Sequence, residues 1–198
     1  HAGNMYIADY VNHNILLVES GSKKVQVYAH HSDMNQPNDI AIADNGNLYA
    51  SDPNWQQGTG NLWLINKQQD VVLLDENMGT TNGVEVSPGN DFLYVNESVQ
   101  RIIWRYSILP DGTVADKQQF FTFDDYGMDG MRTDRQGNLY VARYGAGEIA
   151  IISPSGTLLK QVKLEGQHPT NVAFGGKEGK TVFVTMQKRG AIETFESE

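Results

Sequence analysis

"QPNDIAIADNGNLYASDP", residues 36–53, decides the fold. Ile40, Ile42, Leu48 and Ala50 are apolar, and Asp44-Asn45-Gly46-Asn47 has the composition of a turn. The stretch therefore reads as two short strands joined by a hairpin. A polar pair, Asn38-Asp39, opens the first strand. Asn and Asp are depleted in strands, so the pair needs a reason to be there.

The hairpin recurs along the chain. "GNMYIADY" (3–10), "GNLYASDP" (46–53), "NDFLYVNES" (90–98), "GNLYVARY" (137–144) and "KTVFVTMQ" (180–187) share one form. Their aromatic anchors, Tyr6, Tyr49, Tyr94, Tyr140 and Phe183, are spaced by 43, 45, 46 and 43 residues. That is the period of a four-stranded propeller blade. Strands such as "DIAIA", "GVEVS", "GMRTD" and "NVAFG" precede the last four anchors, and "NLWLIN", "RIIWRYSI" and "EIAIIS" follow. No segment keeps a 3.6-residue apolar period over three turns, which excludes a helical reading. The expectation is an all-β chain: one β-propeller domain over 1–198, with four full blades and a partial first one. Only five residues precede Tyr6, too few for its blade's inner strand. The chain is therefore expected to be truncated at its N-terminus.

Composition narrows the function. The chain has 198 residues, 39% of them hydrophobic, and a formal net charge of −9. This charge argues against nucleic acid and anionic membranes as partners. No apolar run approaches the ~20 residues of a bilayer span. With no cysteine, disulfides, thiolate metal sites and Cys nucleophiles are excluded, and the compartment stays open. Neither a nucleophile elbow nor a Gly-rich phosphate loop is present.

Polar residues recur upstream of the anchors. Asn38 lies eleven residues before Tyr49, Asn82 twelve before Tyr94, Asp129 eleven before Tyr140 and Asn171 twelve before Phe183. Each opens an inner strand, and inner strands line a propeller's central channel. The four are expected to form an axial ring of amide and carboxylate oxygens. Such hard donors suit Ca2+ or Mg2+, and without His or Cys among them the usual zinc site is disfavoured. The bland alternative is that each caps its strand locally. His168 and Arg143, with Tyr144, are candidates for the channel rim and substrate contact. Glu85 is expected to point off the apolar face of its strand, Glu97 to pair with Arg101 on the surface, and His30-His31 to be a solvated loop. Trp55 is placed in a long polar loop over a pocket.

At these residues the chain resembles the SMP-30/gluconolactonase/LRE-like family. The resemblance rests on "NQPNDIAIADNGNLYASDP", "TNGVEVSPGNDFLYVNES", "DGMRTDRQGNLYVARY" and "PTNVAFGGKEGKTVFVT", in that order, and covers nearly the whole chain. It implies a six-bladed propeller, incomplete here, with one divalent metal in the channel. Ca2+ is the first choice and Mg2+ or Zn2+ the alternatives. It implies hydrolysis of a small lactone or sugar-acid ester. By position, Asn82 and Asp129 match metal ligands and Asn38 a metal or substrate contact, with Asp129 as general base. The family's remaining ligand is a Glu in an "EGP" or "ESP" motif, which this sequence lacks. Two alternatives stand beside this reading. "ADYVNHNILLVES" resembles NHL-type binding propellers, and the same scaffold serves phosphotriesterases and arylesterases.

Overall fold

The computed structural model describes residues 3–197. Among them are eighteen strands and no helix, in five antiparallel sheets. The first sheet holds β1 (Met5–Asp9), β2 (Asn14–Val18) and β3 (Val25–His30). The second holds β4 (Ile40–Ile42), β5 (Leu48–Asn54), β6 (Thr59–Ile65) and β7 (Val71–Met78). The third holds β8 (Thr81–Val86), β9 (Phe92–Glu97), β10 (Ile102–Ile108) and β11 (Val114–Thr122). The fourth holds β12 (Met131–Thr133), β13 (Leu139–Arg143), β14 (Glu148–Ile152) and β15 (Leu158–Lys163). The fifth holds β16 (Pro169–Gly175), β17 (Thr181–Met186) and β18 (Ala191–Glu196). Each sheet is a meander in which sequence neighbours pair. The first strands of successive sheets pack side by side: β1 against β4, β4 against β8, β8 against β12 and β12 against β16. This is a propeller arrangement of five blades.

One expectation needs correcting. Only the second, third and fourth sheets have four strands. The first lacks an inner strand, as read from the sequence, but the fifth is also one strand short. Its third strand, "AIETFE", is the last element of the described residues.

Side-chain alternation explains why the blades stack. Successive residues of a strand point to opposite faces. In β13, Leu139 and Val141 join an apolar cluster with Tyr94 and Ile103 of the third blade. Tyr140 and Ala142, between them, join a cluster with Val172, Val182 and Val184 of the fifth. In β5, Leu48 and Ala50 face the first blade with Ile15, and Tyr49 faces the third with Val84 and Leu93. Central blades are buried on both faces, so their strands read as near-continuous apolar runs. The aromatic anchor of each blade fills the junction with the next.

Phe183 holds the same register as these anchors but is 38% exposed, because no blade among the described residues covers it. Ile192 on β18 shares that open face, and on β1 and β3 Met5, Ile7, Val25 and Val27 are exposed as well. Both ends of the array thus present apolar residues. A cavity of about 420 Å³ beside β1 and β4 is lined by Tyr6, Tyr28, Ile40, Ile42, Leu48 and Arg132, among others. Neither Asn82 nor Asp129 lines it.

Candidate metal centre

Backbone pairing fixes which axial residues are equivalent. The anchors pair with Ala41, Glu85, Arg132 and Ala173 across the first hairpin of each blade. Three residues back from these partners stand Asn38, Asn82, Asp129 and Thr170. The hydrogen bonds agree for two of them. Asn38 N–H donates to Ser51 O and Asp129 N–H to Ala142 O, both at 2.9 Å and both two residues past an anchor.

Asn171 is therefore one step out of register with the other three. The hairpin between β16 and β17 carries two more residues than that between β4 and β5, which shifts a count made along the sequence. Asn171 Oδ1 accepts the N–H of Val172 at 2.8 Å, just as Asp39 Oδ1 accepts that of Ile40 at 3.0 Å. The local-cap reading holds for Asn171.

Asn82 and Asp129 come together. Asn82 is 4% exposed, and its Nδ2 donates to Met128 O at 3.4 Å. Its amide also hydrogen-bonds the Asp129 carboxylate, which favours that group's charged form. Asn82 sits in a register shift of β8 between Thr81 and Val84, a bulge that aims the side chain inward. Gly83 permits the approach: a Cβ there would lie 2.5 Å from Asp129 O. Asn96 Nδ2 then fixes Asp129 O at 2.7 Å. Asn38, in contrast, exposes its side chain to solvent.

The electrostatics are those of a site short of positive charge. Burial pushes Asp129 up to about 7, the Asp39 carboxylate adds to the rise, and Asn82 and the Gly130 N–H oppose it. Asp39 is itself raised by burial, although its carboxylate accepts Val84 N–H at 3.0 Å and Ile40 N–H, and Arg132 lies near. Asn82 Oδ1 is buried with no hydrogen-bond partner. A buried carboxylate whose ionisation Asp39 further opposes, beside an unsatisfied amide oxygen, fits a hard divalent cation. Among the described residues no three His, Cys, Asp or Glu cluster, so amide oxygens are needed to complete any such site.

Sequence reading singled out Asn38 and passed over its neighbour Asp39. The signal was present in the polar pair itself, and only the register shows that the second member interacts with Asp129. Glu85 does point off the apolar face, and it bridges blades: Oε2 pairs with Arg132 Nη1 at 3.0 Å and Oε1 accepts Thr133 N–H at 2.8 Å.

Other expectations fail. Arg143 is 1% exposed, so it is no rim residue. Its Nη2 binds Asp125 O and Oδ1 at 2.5 and 2.7 Å, and its guanidinium lies 3.4 Å from the Phe123 ring centroid. Glu97 is buried, and Arg101 sends its guanidinium to Asp124 O at 2.6 Å instead. His30 ends β3, and His31 packs on Trp63 with ring centroids 5.0 Å apart. Trp55 lies in a short turn between β5 and β6 because those strands extend to Asn54 and from Thr59. His168, in contrast, is partly exposed as a rim position requires, and meets Tyr144 edge-on with ring centroids 4.8 Å apart.

Comparison with known proteins bears on the family and the fold. The chain is 26% identical over 208 residues to a gluconolactonase of Zymomonas mobilis, covering 92% of this chain and 58% of that one. It is 25% identical over 217 residues to a diisopropyl-fluorophosphatase of Loligo vulgaris, covering 98% and 68%. A crystal structure of a calcium-binding protein, regucalcin, from Agrobacterium tumefaciens superposes with a TM-score of 0.83 at 21% identity. That match covers 93% of this chain and 65% of the other, and shows the fold. The chain spans about half the length of several curated relatives that it matches. The family model described as SMP-30/Gluconolactonase/LRE-like region matches residues 1–188, and the chain belongs to that family.

Proposed function

We propose that this chain forms most of a six-bladed propeller that hydrolyses lactones with a divalent cation, Ca2+ first, at Asn82 and Asp129. The observation that carries the reading is the unpartnered Asn82 Oδ1 beside an Asp129 whose ionisation burial and Asp39 oppose. The open apolar faces at Phe183 and at Met5 support a missing blade between the two ends. So does the 65% of the regucalcin structure that the chain covers.

Asn82 and Asp129 would hold the cation, with Asn38 on the exposed side toward substrate. When bound, the cation polarises the ester carbonyl and offsets charge on the tetrahedral oxyanion. Asp129 takes a proton from the attacking water as its oxygen bonds to the carbonyl carbon. The ring C–O bond then breaks, and Asp129 returns the proton to the leaving alkoxide. Asn82 holds the Asp129 carboxylate in place, and Asn96, through the Asp129 carbonyl, holds the strand. Lacking the family's Glu ligand, this chain binds the cation weakly. Calorimetric Ca2+ titration tests this, and micromolar or tighter affinity would refute it.

A second reading has support from the fluorophosphatase relative: a phosphotriester substrate at the same site. Parallel assays with a sugar lactone and a phosphotriester, each with Ca2+ and with chelator, distinguish the two.

A further inference from the structure

The connection from β11 to β12, which delivers Asp129, is clamped almost residue by residue. Arg101 holds the carbonyl of Asp124, and Arg143 holds the carbonyl and carboxylate of Asp125. Ser98 Oγ donates to Met128 O, and Asn96 holds Asp129 O. Gly127 packs against Ser98.

Tyr126 is the exception within this clamp. Its φ is 46°, in the left-handed region that a bulky side chain rarely enters. Its side chain is 54% exposed, so packing does not repay the strain. The other positive-φ non-glycine residues among those described lie in hairpin turns or within strands, and Tyr126 alone lies in a connection between blades. Its ring rests on Gly145, where an added Cβ would come within 2.9 Å of it. Next along the chain, Tyr144 meets His168 edge-on and donates its hydroxyl to Gln187. Strain held at an exposed residue by an over-determined loop points to function.

We propose that Tyr126 is a specificity-determining contact for substrate, a reading that rests on the proposed hydrolase. It stands three residues before Asp129 on the same connection, with its ring held over Gly145 and open to solvent. It stacks on the C–H face of a saturated cyclic ester, and the Tyr144–His168 pair continues the wall. The substrate class it selects is a ring-bearing lactone over an open-chain ester of the same acid.

The test is binding of a non-hydrolysable lactam analogue of gluconolactone, read by saturation-transfer NMR and calorimetry in saturating Ca2+. Tyr126→Phe should bind as the wild type does. Tyr126→Ala and Tyr126→Gly should lose roughly 3–10-fold in lactam affinity with Ca2+ affinity unchanged. Tyr126→Gly should also raise the urea midpoint, because glycine relieves the left-handed strain. Lactam affinity unaltered in both Tyr126→Ala and Tyr126→Gly would overturn the assignment while leaving the hydrolase reading intact. Failure of the wild type to bind lactam, together with Ca2+-independent hydrolysis, would overturn both.

Discussion

The Asp39 carboxylate raises the pKa of Asp129, adding to the effect of burial that brings Asp129 to about 7. The two residues stand just before the inner strands of different blades, β4 and β12, and come near each other because the propeller packs its first strands side by side. In chelator the sign of the resulting pH dependence is fixed. The unfolded carboxyl titrates near 3.8 and the folded one near 7, so between these values the folded state holds a proton that the unfolded state lacks. Stability should fall as pH rises through that window, with Asp129 alone contributing at most about 1.4 kcal/mol per pH unit and levelling off above it. Urea unfolding at a series of pH values checks this. Asp39→Asn should flatten the slope, and saturating Ca2+ should do the same. A slope of the opposite sign would refute the arrangement.

Phe183 and Tyr140 occupy one register in neighbouring blades with opposite surroundings. Tyr140 is 3% exposed and Phe183 38%. Phe183→Ser should change the unfolding free energy of this chain by only about 0.5–1 kcal/mol, whereas Tyr140→Ser should cost about 3–5 kcal/mol. In a chain extended by the proposed sixth blade, Phe183→Ser should become as damaging as Tyr140→Ser. Equal penalties in the present chain would mean that its fifth blade is covered by something else.

Glu85 and Arg132 tie the third blade to the fourth beneath the candidate site. Glu85 is buried and Arg132 is half exposed, so the pair is worth less than a fully enclosed one. Glu85→Ala leaves the Thr133 N–H and Arg132 without their acceptor and should destabilise by about 1–3 kcal/mol. Glu85→Gln keeps one acceptor oxygen and should recover part of that. Denaturant midpoints of the two variants decide the matter.

Arg143 anchors the loop before Asp129. Arg143→Lys keeps the charge but loses the forked contact to the Asp125 carbonyl and carboxylate. The lysine variant should therefore bind Ca2+ more weakly than the wild type, by about tenfold, with the sheets intact by circular dichroism. Unchanged Ca2+ affinity would separate this loop from the site.

Much of this molecule was legible from its sequence. The 45- and 46-residue spacing of Tyr49, Tyr94 and Tyr140 is a packing requirement, since each of these anchors must fill one junction, and the five sheets follow that spacing. The shared register of the axial positions was legible where hairpin length is nearly constant, as at Asn38, Asn82 and Asp129. It was lost at Asn171, because two extra hairpin residues move the register without altering the motif. Arg143 was misread because a strand end shows only its chain position, and Asp125 and Phe123, which bury it, lie eighteen and twenty residues upstream. The role of Asp39 rests on contact across two blades, which a linear pattern does not contain.

The central claim is tested most directly by pH-stat hydrolysis of gluconolactone. The assay uses saturating Ca2+, then chelator, on protein extended by the proposed sixth blade and on its Asp129→Asn variant. The account requires turnover that disappears with chelator and falls about 10²–10⁴-fold in Asp129→Asn. Turnover indifferent to both, or none at all in a folded protein that binds Ca2+, would contradict it.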